Sequence, residues 1–118
     1  MSEGARQALA DLKKHLKEVY MLHSIGGVLG WDERVYMPRQ GGEHRANQLS
    51  YLSGKAHTMI TDPKVGEWLS TIEGSGVLSD PLSPDAVTVR EVRRYYDKQT
   101  KVPTELVEKI THAETIGQ

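Results

Sequence analysis

Five histidines, sixteen acidic residues and no cysteine set the limits of the chemistry open to this chain. A hydrolytic zinc site needs three protein ligands within about 2.3 Å of one ion and an open position for water, so two histidines serving it from one helix must stand one turn apart. His15, His23, His44, His57 and His112 contain no i, i+4 pair, and none of them is followed by Glu. At 1.5 Å rise per residue, His15 and His23 would stand about 12 Å apart on a helix and His44 and His57 about 20 Å, too far to share a metal. Two mixed sets do fall on common helical faces: Asp11, His15 and Glu18, and separately Glu108 with His112. Carboxylate–imidazole pairs at that spacing are ordinary surface contacts worth a few tenths of a kcal/mol, and a lone pair supplies too few ligands for a structural zinc.

Nucleophilic and phosphate chemistry are no better provided for. His23-Ser24-Ile25-Gly26 lacks the leading glycine of a nucleophile elbow, and Gly74-Ser75-Gly76 is followed three residues later by Ser79, not by a third glycine. Arg90, Arg94, Lys98 and Lys101 share a helical face, with Arg93, Tyr95 and Tyr96 interleaved. Such a face could track a phosphate backbone while a ring stacks on a base. Glu91 and Asp97 dilute it, and the chain as a whole carries a net charge of −1, so a solvated face with the tyrosines in a core or interface is the better reading. Trp31-Asp32 reads as a packing anchor followed by a locally hydrogen-bonded carboxylate; Asp32 has no catalytic partner in the sequence.

The elements that would position these residues are helical throughout. Leu9, Leu12, Leu16, Val19 and His23 recur at three- and four-residue steps, predicting an amphipathic helix from Ser2 to about Leu29. It crosses Gly26 and Gly27, each costing about 1 kcal/mol against Ala, which suggests close packing or a kink there; Gly26 and Gly30 also form one G-x-x-x-G match. Met37-Pro38 and Gly41-Gly42 mark residues 32 to 42 as a loop. A second helix from about 43 to 61 carries Leu49, Leu52, Ala56, Met59 and Ile60 on one side. Asp62-Pro63 and Ser83-Pro84 each pair an N-cap with a proline at the first helical position. They open a short helix with Val65, Trp68, Leu69 and Ile72 inward, stopped by Gly74-Ser75-Gly76, and a fourth helix through about Gln99. Val102-Pro103 breaks the chain before a last helix, about Thr104 to Ile116, with Leu106, Val107, Ile110 and Ala113 inward. No strand-like alternation competes. The expected fold is all-α, a bundle of about five helices built on an antiparallel hairpin of the helices around 4–30 and 43–61, with residues 1–118 as a single helical segment.

Composition is consistent with this. With 118 residues the chain is one domain by the usual prior, large enough for one modest core. Fifteen basic against sixteen acidic residues give no field that would draw nucleic acid or an anionic membrane. No stretch approaches the roughly 20 apolar residues of a membrane span, and the absence of Cys and of an apolar leader fits a cytoplasmic setting. With no Phe, the apolar supply is thin.

The ordered series Gly30-Trp31-Asp32-Glu33, Met37-Pro38, Gly41-Gly42-Glu43-His44-Arg45-Ala46-Asn47-Gln48, then Val89-Arg90-Glu91, Arg94-Tyr95-Tyr96-Asp97 and Lys101-Val102-Pro103 resembles the N-terminal region of the thermostable carboxypeptidase family. The resemblance covers almost the whole chain. It implies helices that wall the substrate cleft of a zinc peptidase releasing single residues from peptide C-termini. In that family the HExxH histidines, the third zinc ligand and the substrate-carboxylate-binding residues lie downstream. No catalytic, cofactor-binding or metal residue is therefore carried over, and no cofactor is expected in this chain, zinc belonging to the full-length family. Ala113-Glu114-Thr115-Ile116-Gly117-Gln118 reads as a helix that should continue, so the chain is expected to be a fragment, either a short gene product that kept only the helical front or a piece of a longer enzyme. Its want of metal ligands implies that it is inactive alone. The alternative is a non-catalytic helical binding or dimerisation module. The expected partner is a second copy or the missing catalytic part, and Leu9, Leu12, Leu16, Val19 and Leu22 are the expected homodimer stripe.

Overall fold

The computed structural model describes residues 2–35 and 42–117, the backbone alone for residues 30–35, 77 and 117. The described residues are all-α: α1 Glu3–Val35, α2 Gly42–Ile60, α3 Pro63–Glu73, α4 Pro84–Gln99 and α5 Thr104–Gly117, with a short 3-10 turn at Val77–Ser79. The Met37-Pro38 turn lies outside the described residues, as do the side chains of Trp31 and Asp32.

Local chemistry explains most boundaries. Ser2 Oγ accepts from the Ala5 amide at 3.1 Å, Asp62 Oδ1 from the Lys64 amide at 3.0 Å and Ser83 Oγ from the Ala86 amide at 3.1 Å, each satisfying one donor that a helix start leaves open. Pro63 and Pro84 stand at the first helical turn, where a missing N–H does no harm. Gly74 ends α3, and Gly76 takes a left-handed φ of 86° that admits glycine without strain. The first helix corrects the expected boundary: it runs to Val35 and takes in the first four residues of the expected loop 32–42. Gly30 is the weakest helix former between Leu29 and Val35, and a single glycine at about 1 kcal/mol does not end the helix.

The described residues form two compact units. One holds α1 through Lys17 together with Ile60–Lys101; the other holds Glu18–Met59 and the chain from Val102 onward. In the first unit, Ala8, Leu9 and Leu12 of α1 pack with Val65, Leu69 and Ile72 of α3 and Val89 of α4, with Leu16, Trp68, Leu78, Val92 and Tyr96 against them. Fully burying a side chain of this size stabilises by about 1.5–3 kcal/mol, so this cluster is the unit's main support. The expected dimer stripe is therefore spent within the chain: Leu9, Leu12 and Val19 are buried, and Leu16 and Leu22 half-buried. The α3 and α4 helices cover Leu9 and Leu12.

In the second unit, α1 beyond Glu18 and α2 run antiparallel. Arg45 Nη1 donates to the Leu29 carbonyl at 3.0 Å, and Leu49 faces Gly26. A methyl at Gly26 would meet Leu49 Cδ2 at an ordinary 4.0 Å and one at Gly27 would meet nothing, so crowding does not require either glycine. The α5 helix lies antiparallel to α2, pairing Glu43 with His112, Ser50 with Glu108 and His57 with Thr104. Here three of the four residues expected inward turn outward, Val107 alone being half-buried. Leu106 and Ile110 are each 47% exposed and Ala113 is exposed, while Thr104, Glu108, Thr111 and His112 are half-buried and Thr115 is buried.

Candidate functional site

The seam between α2 and α5 gathers several polar side chains. On α2, Ser50, Gly54 and His57 fall at steps of four and three and so share one face. On α5, Thr104, Glu108, Thr111 and Thr115 fall at steps of four, three and four. His57 is 5% exposed, and its Nδ1 stands 2.7 Å from Thr104 Oγ1, the hydroxyl donating or accepting according to the imidazole tautomer. Ser50 Oγ donates to the Glu108 carbonyl at 3.0 Å. His112 Nε2 meets Glu43 Oε1 at 3.0 Å, an ion pair when the ring is protonated. Glu108 lays its side chain across Gly54, where a Cβ would come 2.6 Å from Cγ.

Ser50, Glu105, Glu108, Lys109 and His112 line an open cavity of about 360 Å³. The seam thus brings together Glu108 and His112, paired on sequence spacing, yet the imidazole bonds to Glu43 on the neighbouring helix. A Ser50 nucleophile would need a base within hydrogen-bond reach, and its hydroxyl is instead donated to a main-chain carbonyl. These groups orient α5 on α2.

The other singled-out residues are placed separately. Asp11 accepts from Gln7 Nε2 at 2.9 Å, while the His15 ring meets the edge of Trp68 with centroids 5.4 Å apart and planes at 67°. Glu18 is exposed. On α4, Arg90 donates to the Pro81 carbonyl at 2.8 Å and Arg94 pairs with Glu91 at 3.8 Å. Arg93 forms a fork on Glu73, Nη2 to Oε1 at 2.6 Å and Nε to Oε2 at 3.1 Å, reaches Asp97 at 3.5 Å, and holds its guanidinium carbon 5.9 Å from the Tyr96 ring centroid. The hydrogen bond to Glu73 raises the Arg93 pKa above its ordinary value, against the opposing effect of burial. Three of the basic side chains are thus committed to local partners; Lys98 is exposed on α4, and Lys101, expected on the same face, lies in the turn beyond the helix end at Gln99. Among the described residues no three His, Cys, Asp or Glu side chains form a group that could hold a metal ion, and no helix is long and apolar enough to cross a membrane.

Sequence reasoning missed the roles of Glu43, Ser50, Gly54 and Thr104. The available signal was the matching stripe of small and polar residues on the two helices, with a glycine in the middle of one of them.

Residues 11–118 match the model of the carboxypeptidase Taq (M32) metallopeptidase family. The chain is 40% identical over 113 residues to thermostable carboxypeptidase 1 of Thermus thermophilus, an alignment that covers 96% of this chain and 22% of that protein. The chain thus spans about a fifth of the length of the curated relative it matches.

Proposed function

The chain belongs to the carboxypeptidase Taq (M32) metallopeptidase family, and on that premise we propose that it is a helical, non-catalytic portion of a metallocarboxypeptidase. It lines the peptide cleft of an enzyme that releases C-terminal residues and is inactive by itself. The observation that carries this reading is the disproportion of the match, which takes in 96% of the chain and 22% of the relative. The metal of such an enzyme does not fit the described residues, because no metal-holding group of three or more ligands is found among them. In this reading zinc and the reacting groups belong to residues outside this sequence, and no catalytic step runs through the seam between α2 and α5.

The test is direct. Purified chain incubated with zinc and peptides bearing free C-termini is expected to release no amino acids. Stoichiometric zinc binding accompanied by turnover overturns the reading.

A second reading, a non-catalytic module that pairs with a second copy, is favoured by apolar residues left exposed in the second unit, Met21, Val28 and Leu106 among them. Light scattering over a hundredfold concentration range separates it, since a constant mass of 13.2 kDa excludes a dimer. A cytoplasmic setting accompanies both readings, supported by the absence of cysteine.

A further inference from the structure

The α5 helix is mounted with its polar face inward. Thr104, Glu108, Thr111, His112 and Thr115 turn to the interior of the unit, and the bonds of His57 to Thr104, Ser50 to Glu108 and Glu43 to His112 fix that rotation. The opposite face carries Leu106, Ile110 and Ala113 at steps of four and three, flanked by Ile116, which is 51% exposed. An amphipathic helix buries its apolar stripe wherever there is something to bury it against, so a stripe held outward by a hydrogen-bonded seam lacks its cover within the unit. The second half of α1 repeats the pattern with Met21, Ile25 and Val28, again at steps of four and three and all exposed.

We infer that the Leu106–Ile110–Ala113 face of α5 is a docking surface for the catalytic remainder of the carboxypeptidase, received by an apolar helical face there. This rests on the function proposed above and names the surface through which that function would be exercised. The occupant is chosen by the extent of the match: this chain corresponds to 22% of the relative, so most of such an enzyme lies outside it and has to meet these helices somewhere. A continuous apolar stripe on a helix whose polar side is already satisfied suits that contact, because docking buries apolar area without stranding a polar group.

The absence of cysteine supplies the experiment. Ile110→Cys and, as a control, Leu82→Cys at a position 86% exposed in the first unit are made in the full chain. Both are also made in a chimera in which this chain replaces the matched portion of the Thermus thermophilus enzyme. Labelling by iodoacetamide is followed at the substituted peptide by mass spectrometry, alongside C-terminal residue release by the unlabelled chimera. The expected result is an active chimera in which position 110 labels at least tenfold more slowly than in the isolated chain, while position 82 labels equally in both. An active chimera with position 110 labelled as fast as in the isolated chain overturns the docking surface and leaves the proposed function standing. An inactive unsubstituted chimera removes both. Protection of position 110 in the isolated chain that grows with its concentration assigns the face to a second copy and overturns the inference.

Discussion

Substituting Gly54 with alanine should destabilise the chain, and should stabilise it once Glu108 is shortened. In an unobstructed helix, Gly→Ala gains about 1 kcal/mol from backbone entropy. Here the new methyl would stand 2.6 Å from Glu108 Cγ and 2.7 Å from both Cδ and Oε1, well inside ordinary van der Waals contact. Because the obstruction begins at Cγ, the Glu108 side chain must leave the seam or α5 must move away from α2, a rearrangement of the kind that costs about 1–3 kcal/mol. The net expectation for Gly54→Ala is a loss of about 0–2 kcal/mol. In a Glu108→Ala background all three obstructing atoms are gone, so the same substitution should gain about 1 kcal/mol. Urea unfolding of the wild type, the two single variants and the double variant measures the coupling, expected at about 1–3 kcal/mol. Stabilisation by Gly54→Ala in both backgrounds, with coupling below about 0.5 kcal/mol, would refute the close approach of α2 and α5 from which this sign change follows.

Ser83→Ala removes the acceptor for the Ala86 amide and should cost about 1 kcal/mol in thermal unfolding, whereas Ser83→Gly should cost only a few tenths. Leu69→Ala in the fully buried core of the first unit should cost about 2–5 kcal/mol by denaturant titration, while Leu82→Ala at an exposed position should stay within about 0.5 kcal/mol of wild type. Arg93→Lys replaces a fork on Glu73 with a single point charge and should lower stability by about 1 kcal/mol, a loss that added salt reduces because the pair is partly solvated. The Arg93 pKa is raised on folding, so its contribution is fully present below the ordinary arginine pKa and lost only above it. Denaturation midpoints compared from pH 6 to 9 should therefore show a constant wild-type-to-Arg93→Lys difference.

What could be read from the sequence was mostly local. Asp62-Pro63, Ser83-Pro84, Gly74-Ser75-Gly76 and Val102-Pro103 act on the backbone within a few residues of themselves, so four of the five helices fall within a residue or two of their expected limits. The turn signals at Met37-Pro38 and Gly41-Gly42 do not reach back to Asp32, because residues 32–35 are ones that a helix accepts readily. Of the close packing or kink expected at Gly26 and Gly27, close packing is not found there; among the described residues the close approaches occur at Gly54, against Glu108, and at Gly66, against the Tyr96 hydroxyl at 2.7 Å. Those depend on which residue of another helix lies opposite, and spacing within one helix carries no information about that.

The rotation of α5 shows where that boundary falls. The general rule assigns Leu106, Val107, Ile110 and Ala113 inward, whereas the structure keeps Val107 half-buried beside Thr104, Glu108, Thr111 and Thr115 and leaves Leu106, Ile110 and Ala113 exposed. The rule presumes that the neighbouring helix offers an apolar face, but the α2 face toward α5 presents Ser50, Gly54 and His57. Opposite this face Thr104 offers its hydroxyl to the buried His57 imidazole and the Glu108 main-chain carbonyl accepts from Ser50, and a buried polar group left unsatisfied costs about 1–3 kcal/mol. With Thr104 and Glu108 on the inner side, Leu106 and Ile110 are left half exposed. Polar satisfaction within the unit therefore opposes apolar burial on α5, and the two are reconciled if the outward stripe is covered from outside the unit. That is the cover the labelling experiment at position 110 looks for.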